Sequence, residues 1–210
     1  MNITRKHSAA ALFLFASTAL GSIAAMAATS PAPAANTDEQ QQIQQAEAMA
    51  GEGRKAMSYI VAAHQLLTKQ HGDEALQYLD KAKGLLTKLK SEVAADRENT
   101  TGLLPIYSQL GVKEGVEITD RIKQEVGKTH LNAIRGKHQK VVEALKNVDV
   151  ELQYSFVDLP VAATLEKVES ALKSLSEKNT SQANTTLSGI GESLVHDSIV
   201  VNAEKHKPAS

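Results

Sequence analysis

His196-Asp197-Ser198 holds the three side-chain types of a hydrolytic triad in one stretch. Consecutive residues cannot aim their side chains at one reacting atom, so the run is not a catalytic triad. Gly191-Glu192-Ser193-Leu194-Val195 lacks the second glycine of a nucleophile elbow. Gly51-Glu52-Gly53-Arg54-Lys55-Ala56 fits G-x-G-x-x-A, with Asp73 twenty residues beyond Gly53. A dinucleotide fingerprint must follow a strand, and Gln40–Ala50 reads as helix, so the match is accidental. Histidines at 64, 71, 130, 138, 196 and 206 include no pair three or four apart that sets two imidazoles on one helix face, and there is no cysteine. We therefore expect no catalytic, cofactor-binding or metal site, and no enzyme.

The histidine that stands out is His64, in the middle of an apolar seam. It is either a neutral, satisfied core imidazole or a proton-sensitive one, since histidine titrates between pH 5 and 8. His71 falls on the same seam, about 10 Å further along a helix. His64 and His71 are the candidate pH-sensing residues. A depressed value at His64 would withdraw its stabilisation below pH 6.5 or so and favour smaller or more open species in acid.

The elements that carry these residues follow from periodicity. Ile43, Ala46, Ala50, Gly53, Met57, Ile60, His64 and Leu67 recur at alternating steps of three and four, a heptad seam on one helix of roughly thirty residues. Gly51 and Gly53 weaken it locally. Gly72 suits a left-handed C-cap and Asp73 the next N-cap. Ala75, Leu76, Leu79, Ala82, Leu86, Leu89 and Val93 then mark the second arm of a helical hairpin. Leu103–Val112, with Pro105 and Gly111, has no helical period. A helix over about Asp120–Arg135, a break at Gly136 and a short helix through Val141, Val142 and Leu145 come next. Val148, Val150, Leu152, Tyr154 and Phe156 alternate with polar residues, a strand pattern whose extended partner is Leu103–Gln109. Pro160 opens another helix, Thr180-Ser181 caps a last one, and Val195–Val201 closes the domain.

The first and last hairpins match at an offset of 108: Ile60, Ala63, Leu67, Ala75 and Leu79 align with Val168, Ala171, Leu175, Ala183 and Leu187. Duplication and the general likeness of amphipathic hairpins both explain this. No fixed 34-residue period supports a solenoid. The fold expected is mainly α, antiparallel helical hairpins forming a bundle, with one short two-stranded β-ribbon.

The N-terminus sets the compartment. Arg5 and Lys6 precede an apolar run from about Ala9 to Ala24 that ends in Ala25-Met26-Ala27, the layout of a cleaved secretory signal peptide over residues 1–27. We expect residues 28–37 to be a disordered linker, 38–201 a single helical domain, 202–210 a frayed tail, and the location to be the periplasm. The 23 basic residues less Arg5 and Lys6 leave 21 against 24 acidic, a mature net charge of −3 with histidine neutral. Such a mixed surface, with no tryptophan, argues against nucleic-acid partners, and no membrane partner is expected after cleavage. Ile43, Ala46, Ala50, Gly53 and Met57 extend past what a second helix joined by a short turn can cover. They form the candidate oligomer seam of a dimer-based homo-oligomer.

In order and spacing, Gly53–Ser58, Asp73-Glu74-Ala75 with Leu79, Leu104-Pro105-Ile106, Leu159-Pro160-Val161 with Thr164, and His196-Asp197-Ser198 resemble the YfdX family of exported enterobacterial proteins. Each piece is short; together they span the mature chain. The resemblance implies a mostly helical periplasmic protein linked to acid or heat stress, and no functional residues to carry over. The function expected is non-enzymatic stress response, chaperone-like, through binding of partners or unfolded chains. The alternative is a helical module for a specific peptide or small ligand.

Overall fold

The computed structural model describes residues 11–14, 37–112 and 117–203. The expected linker, apart from Thr37, lies outside these residues, as do residues 204–210 of the expected tail and all of the expected signal peptide but 11–14. The elements run β1 (Ala11–Leu14), α1 (Thr37–Thr68), α2 (Gly72–Ala95), β2 (Leu103–Val112), α3 (Asp120–Ile134), α4 (His138–Leu145), β3 (Leu152–Pro160), α5 (Val161–Ser176), α6 (Thr180–Glu192) and β4 (Val195–Val201). Among the described residues, no helix is long and apolar enough to cross a membrane.

The two hairpins pack on each other, α2 against α5 and α1 against α6. Their shared core includes Ile60, Leu67, Leu79, Leu86, Val168, Leu187 and Ile190, and it reaches Leu104, Ile106 and Leu159 at the ends of β2 and β3. A second core lies where Ile122 and Ala133 of α3 and Val141 and Leu145 of α4 cover Leu110, Leu152, Tyr154 and Phe156 of the sheet.

Both hairpin turns have one geometry. The His71 amide donates to Leu66 and the Gln70 amide to Leu67, with Gln70 at φ 65°. The Asn179 amide donates to Ser174 and the Lys178 amide to Leu175, with Lys178 at φ 59°. These are Schellman C-caps, and positions 70 and 178 are 108 apart, the offset that relates the two hairpin sequences. The left-handed residue is Gln70, not Gly72, which instead begins α2. Asn179 rather than Thr180 caps α6, accepting from the Gln182 amide at 3.1 Å.

The ribbon expected from sequence has a third strand. The sheet is antiparallel in the order β1-β2-β3-β4. β2, β3 and β4 belong to the expected mature domain, whereas β1 lies inside the expected signal peptide and pairs with Gln109–Val112. β4 escapes the alternation test because it is an edge strand whose residues up to Ser198 are all exposed. Pro105 cannot donate to the ladder, and the register of β2 on β3 slips between Pro105 and Tyr107. Gly51 and Gly53 do not break α1, which runs for 32 residues.

Candidate functional site

The strand period puts Tyr154, Phe156 and Asp158 on one face of β3, and all three are buried. Above them sits His138, the first residue of α4. It is brought there by a third left-handed turn at Gly136, with φ 69°. A Cβ on Gly136 would lie 2.9 Å from Pro105 Cγ, so only glycine lets this turn rest on β2 beside the residue paired with Asp158. The imidazole stacks on Phe156 at 3.5 Å between centroids and 11° between planes. Its Nε2 lies 2.9 Å from Asp158 Oδ2 and its Nδ1 2.9 Å from the Tyr154 hydroxyl.

Donor chemistry orders these bonds. A carboxylate only accepts, so Nε2–H donates to Asp158; in the neutral ring Nδ1 then accepts from the Tyr154 O–H. A proton added at Nδ1 reverses the second bond, and the Tyr154 hydroxyl must then turn its hydrogen elsewhere. Burial, with the Asp158 charge second, pushes the Tyr154 phenol well above its ordinary value of 10.0. Asp158 Oδ1 is buried without a hydrogen-bond partner. Tyr154 is 0% exposed and the Asp158 side chain 4%. The His138 side chain, 14% exposed, is the member of the relay most open to solvent.

A charged clasp flanks the same turn. Arg135 Nη2 lies 3.1 Å from Glu98 and 3.6 Å from Asp96, Lys137 also binds Glu98, and Arg135 Nη1 donates to Gln42 at 3.1 Å. The hydrogen bond from Lys137, with the Arg135 charge behind it, holds the Glu98 carboxyl below its usual value. This straps the loop after α2 to the joint between α3 and α4.

The residues singled out from sequence lie elsewhere. His64 is half-buried on α1. His71 is exposed, its Nδ1 3.1 Å from Glu74. His196, Asp197 and Ser198 lie on exposed β4, where the Ser198 hydroxyl meets those of Ser155 and, at 2.8 Å, the Gln153 amide. The Gly51–Ala56 motif is helical throughout. Among the described residues, no group of three or more His, Asp or Glu is placed to hold a metal. Of the seam, Ala50 and Gly53 are buried within the chain; a Cβ on Gly53 would meet Ile106 Cγ2 at 2.8 Å and Leu104 Cδ2 at 3.0 Å. The assumption that this front lacks an intrachain partner fails at Gly53, where β2 packs beneath it, at buried Ala50, and at Met57, which packs against the hairpin core. Ile43, Ala46 and Met57 remain half-buried.

Sequence reasoning missed His138 and Asp158. The signal was present: Asp158 continues the inward register of Tyr154 and Phe156, and an acid at an inward position needs a partner.

These features define a mainly helical protein with a small antiparallel sheet and a largely buried Tyr–His–Asp relay. The chain belongs to the YfdX family, whose model, described as YfdX protein, matches residues 56–200. A solved structure of YfdX from Salmonella Typhi is similar at 24% identity, covering 74% of this chain and 93% of that one, with a TM-score of 0.48. No curated protein matches the sequence.

Proposed function

We propose that this chain is a non-enzymatic periplasmic stress-response protein that holds partners or unfolded chains on its helical surfaces under acid or heat stress, in a chaperone-like way. The observation that carries the reading is the largely buried Tyr154–His138–Asp158 relay between α4 and the sheet, whose hydrogen bonds an added proton would have to rearrange. Membership of the YfdX family and the signal-peptide pattern of residues 1–27 support it. His64 and His71 stay as proton-responsive candidates beside His138. Ile43 and Ala46, half-buried in the single chain, keep the front of α1 as the seam of a dimer-based homo-oligomer.

The test is suppression of aggregation of three unrelated client proteins by the mature chain at pH 7 and pH 5. Suppression of all three, stronger at pH 5 and with a shifted pH dependence in His138→Gln, is the expected result. Activity toward none of them at either pH overturns the reading.

A further inference from the structure

Part of the expected leader holds a place in the sheet that a mature chain gives up. Ala11–Leu14 runs antiparallel to β2, with Ala11 opposite Val112, Leu12 opposite Gly111, Phe13 opposite Leu110 and Leu14 opposite Gln109. Among the described residues β1 is the outermost strand on this side, and β2 pairs with β3 along its other edge. Removal of residues 1–27 therefore leaves the outer edge of Gln109–Val112 with main-chain N–H and C=O groups that have lost their partners. A strand can reach this edge, because one already lies on it.

The edge is built to keep its shape when vacated. Leu110 and Val112 are buried and pack with Ile122 of α3 and Val141 of α4, so helices and β3 together hold the strand. Gly111 lets a neighbouring backbone come close. Gln109-Leu110-Gly111-Val112 carries no charge and no proline. The far edge of the sheet differs: β4 exposes His196 and Asp197, and charged side chains on an edge discourage pairing.

We propose that in the mature chain Gln109–Val112 accepts an extended, uncharged apolar segment of an unfolded chain as an added antiparallel strand, in the place of Ala11–Leu14. The proposal rests on removal of the leader and deepens the reading above, since it names where an unfolded chain is held. Strand addition draws its affinity from main-chain hydrogen bonds, which any sequence can make. Its occupant here is a loose apolar stretch, not an element of a folded domain, and four residues of ladder suit a reversible hold.

The experiment titrates residues 28–210 with a peptide of residues 10–16 flanked by added lysines, following the amide signals of Gln109–Val112 by NMR. They should shift saturably, with a dissociation constant of roughly 0.1 mM. Two further peptides are N-methylated, one at residues 11 and 13, the other at 12 and 14. Alternate residues of an antiparallel strand point their N–H groups at one neighbour, so one methylated peptide should lose at least about tenfold and the other should bind almost unchanged. Gln109→Cys, in a chain without cysteine, should form a disulfide with a Leu14→Cys peptide about ten times faster than with an Ala11→Cys peptide, as the register requires. No shift up to about 1 mM, equal binding of the two methylated peptides, or trapping that ignores register each overturns the proposal. So does resistance of all four amides to hydrogen exchange without peptide: the edge is then already covered, by this chain or, if protection grows with protein concentration, by a second copy. Clients still protected from aggregation while the peptide fails to bind would overturn this edge and leave the stress-response reading standing.

Discussion

Tyr154 is the phenol whose titration tests the relay. Its raised value means that the folded state keeps a proton which the unfolded chain releases near pH 10. Its contribution to stability is therefore complete below that value and is lost as pH climbs from there through the folded value. The absorbance at 295 nm that Tyr154→Phe removes should rise only as the fold is lost in alkali; a rise while circular dichroism is still native would contradict the burial. His138 and Asp158 make the second prediction. Removing one member of a buried, hydrogen-bonded pair strands the other, so His138→Leu should cost about 3 kcal/mol by urea titration. With Asp158→Leu it should form a double-mutant cycle coupled by about 1.5 kcal/mol or more; additive costs would mean that the two side chains act independently. His138 was hard to find from sequence because its importance comes from where Gly136 turns the chain, not from its neighbours in the seam pattern. His64, which the periodicity favoured, keeps a half-buried place on α1, while its neighbours Ala63 and Leu67 carry the buried stripe.

Elements were more legible than residues. The six helices among the described residues are those that the three-to-four spacing marks out, since each buries one stripe and leaves the rest in water. Capping was less legible: Gln70 and Lys178 hold left-handed conformations that composition would assign to glycine, and tertiary packing of the hairpins holds them there. The same turn at the same offset of 108 gives the hairpin match a structural counterpart. Glycines on α1 and α2 give opposite predictions. Gly84 is exposed and its Cβ would meet nothing within 4 Å, so Gly84→Ala should stabilise by about 1 kcal/mol through helix propensity. Gly53→Ala gains the same propensity but drives a methyl against Ile106, whose Cγ2 is fixed to a branched carbon in the hairpin core. Overpacking costs about 2 kcal/mol, so the net should be a loss of about 1 kcal/mol in denaturant melts. A stabilised Gly53→Ala would mean that β2 yields easily beneath α1.

At the scale of the whole molecule, the division into two cores was not legible. Residues of one strand serve both: Leu104 and Ile106 of β2 face the hairpins, while Leu110 and Val112 face α3 and α4. Reading one strand gives no sign that it changes company midway. The order of the strands has a consequence in time. Residues 113–151 separate β2 from β3, and 161–194 separate β3 from β4, so each ladder closes only after a long, largely helical excursion. Loop closure must be met before the ladder rewards it, and contacts distant in sequence form late. A chain emerging N-terminus first would complete the α1–α2 hairpin well before β2 has β3 beside it, and β4 would arrive last of all. Leu79→Ala, in the first hairpin, should therefore slow refolding, whereas Val201→Ala, at the end of β4, should act almost wholly by speeding unfolding. Stopped-flow chevrons would reveal the reverse order if the sheet nucleates first. Until β4 docks, the edge of β3 that it occupies in the finished fold stays open as a template for pairing with a neighbouring chain.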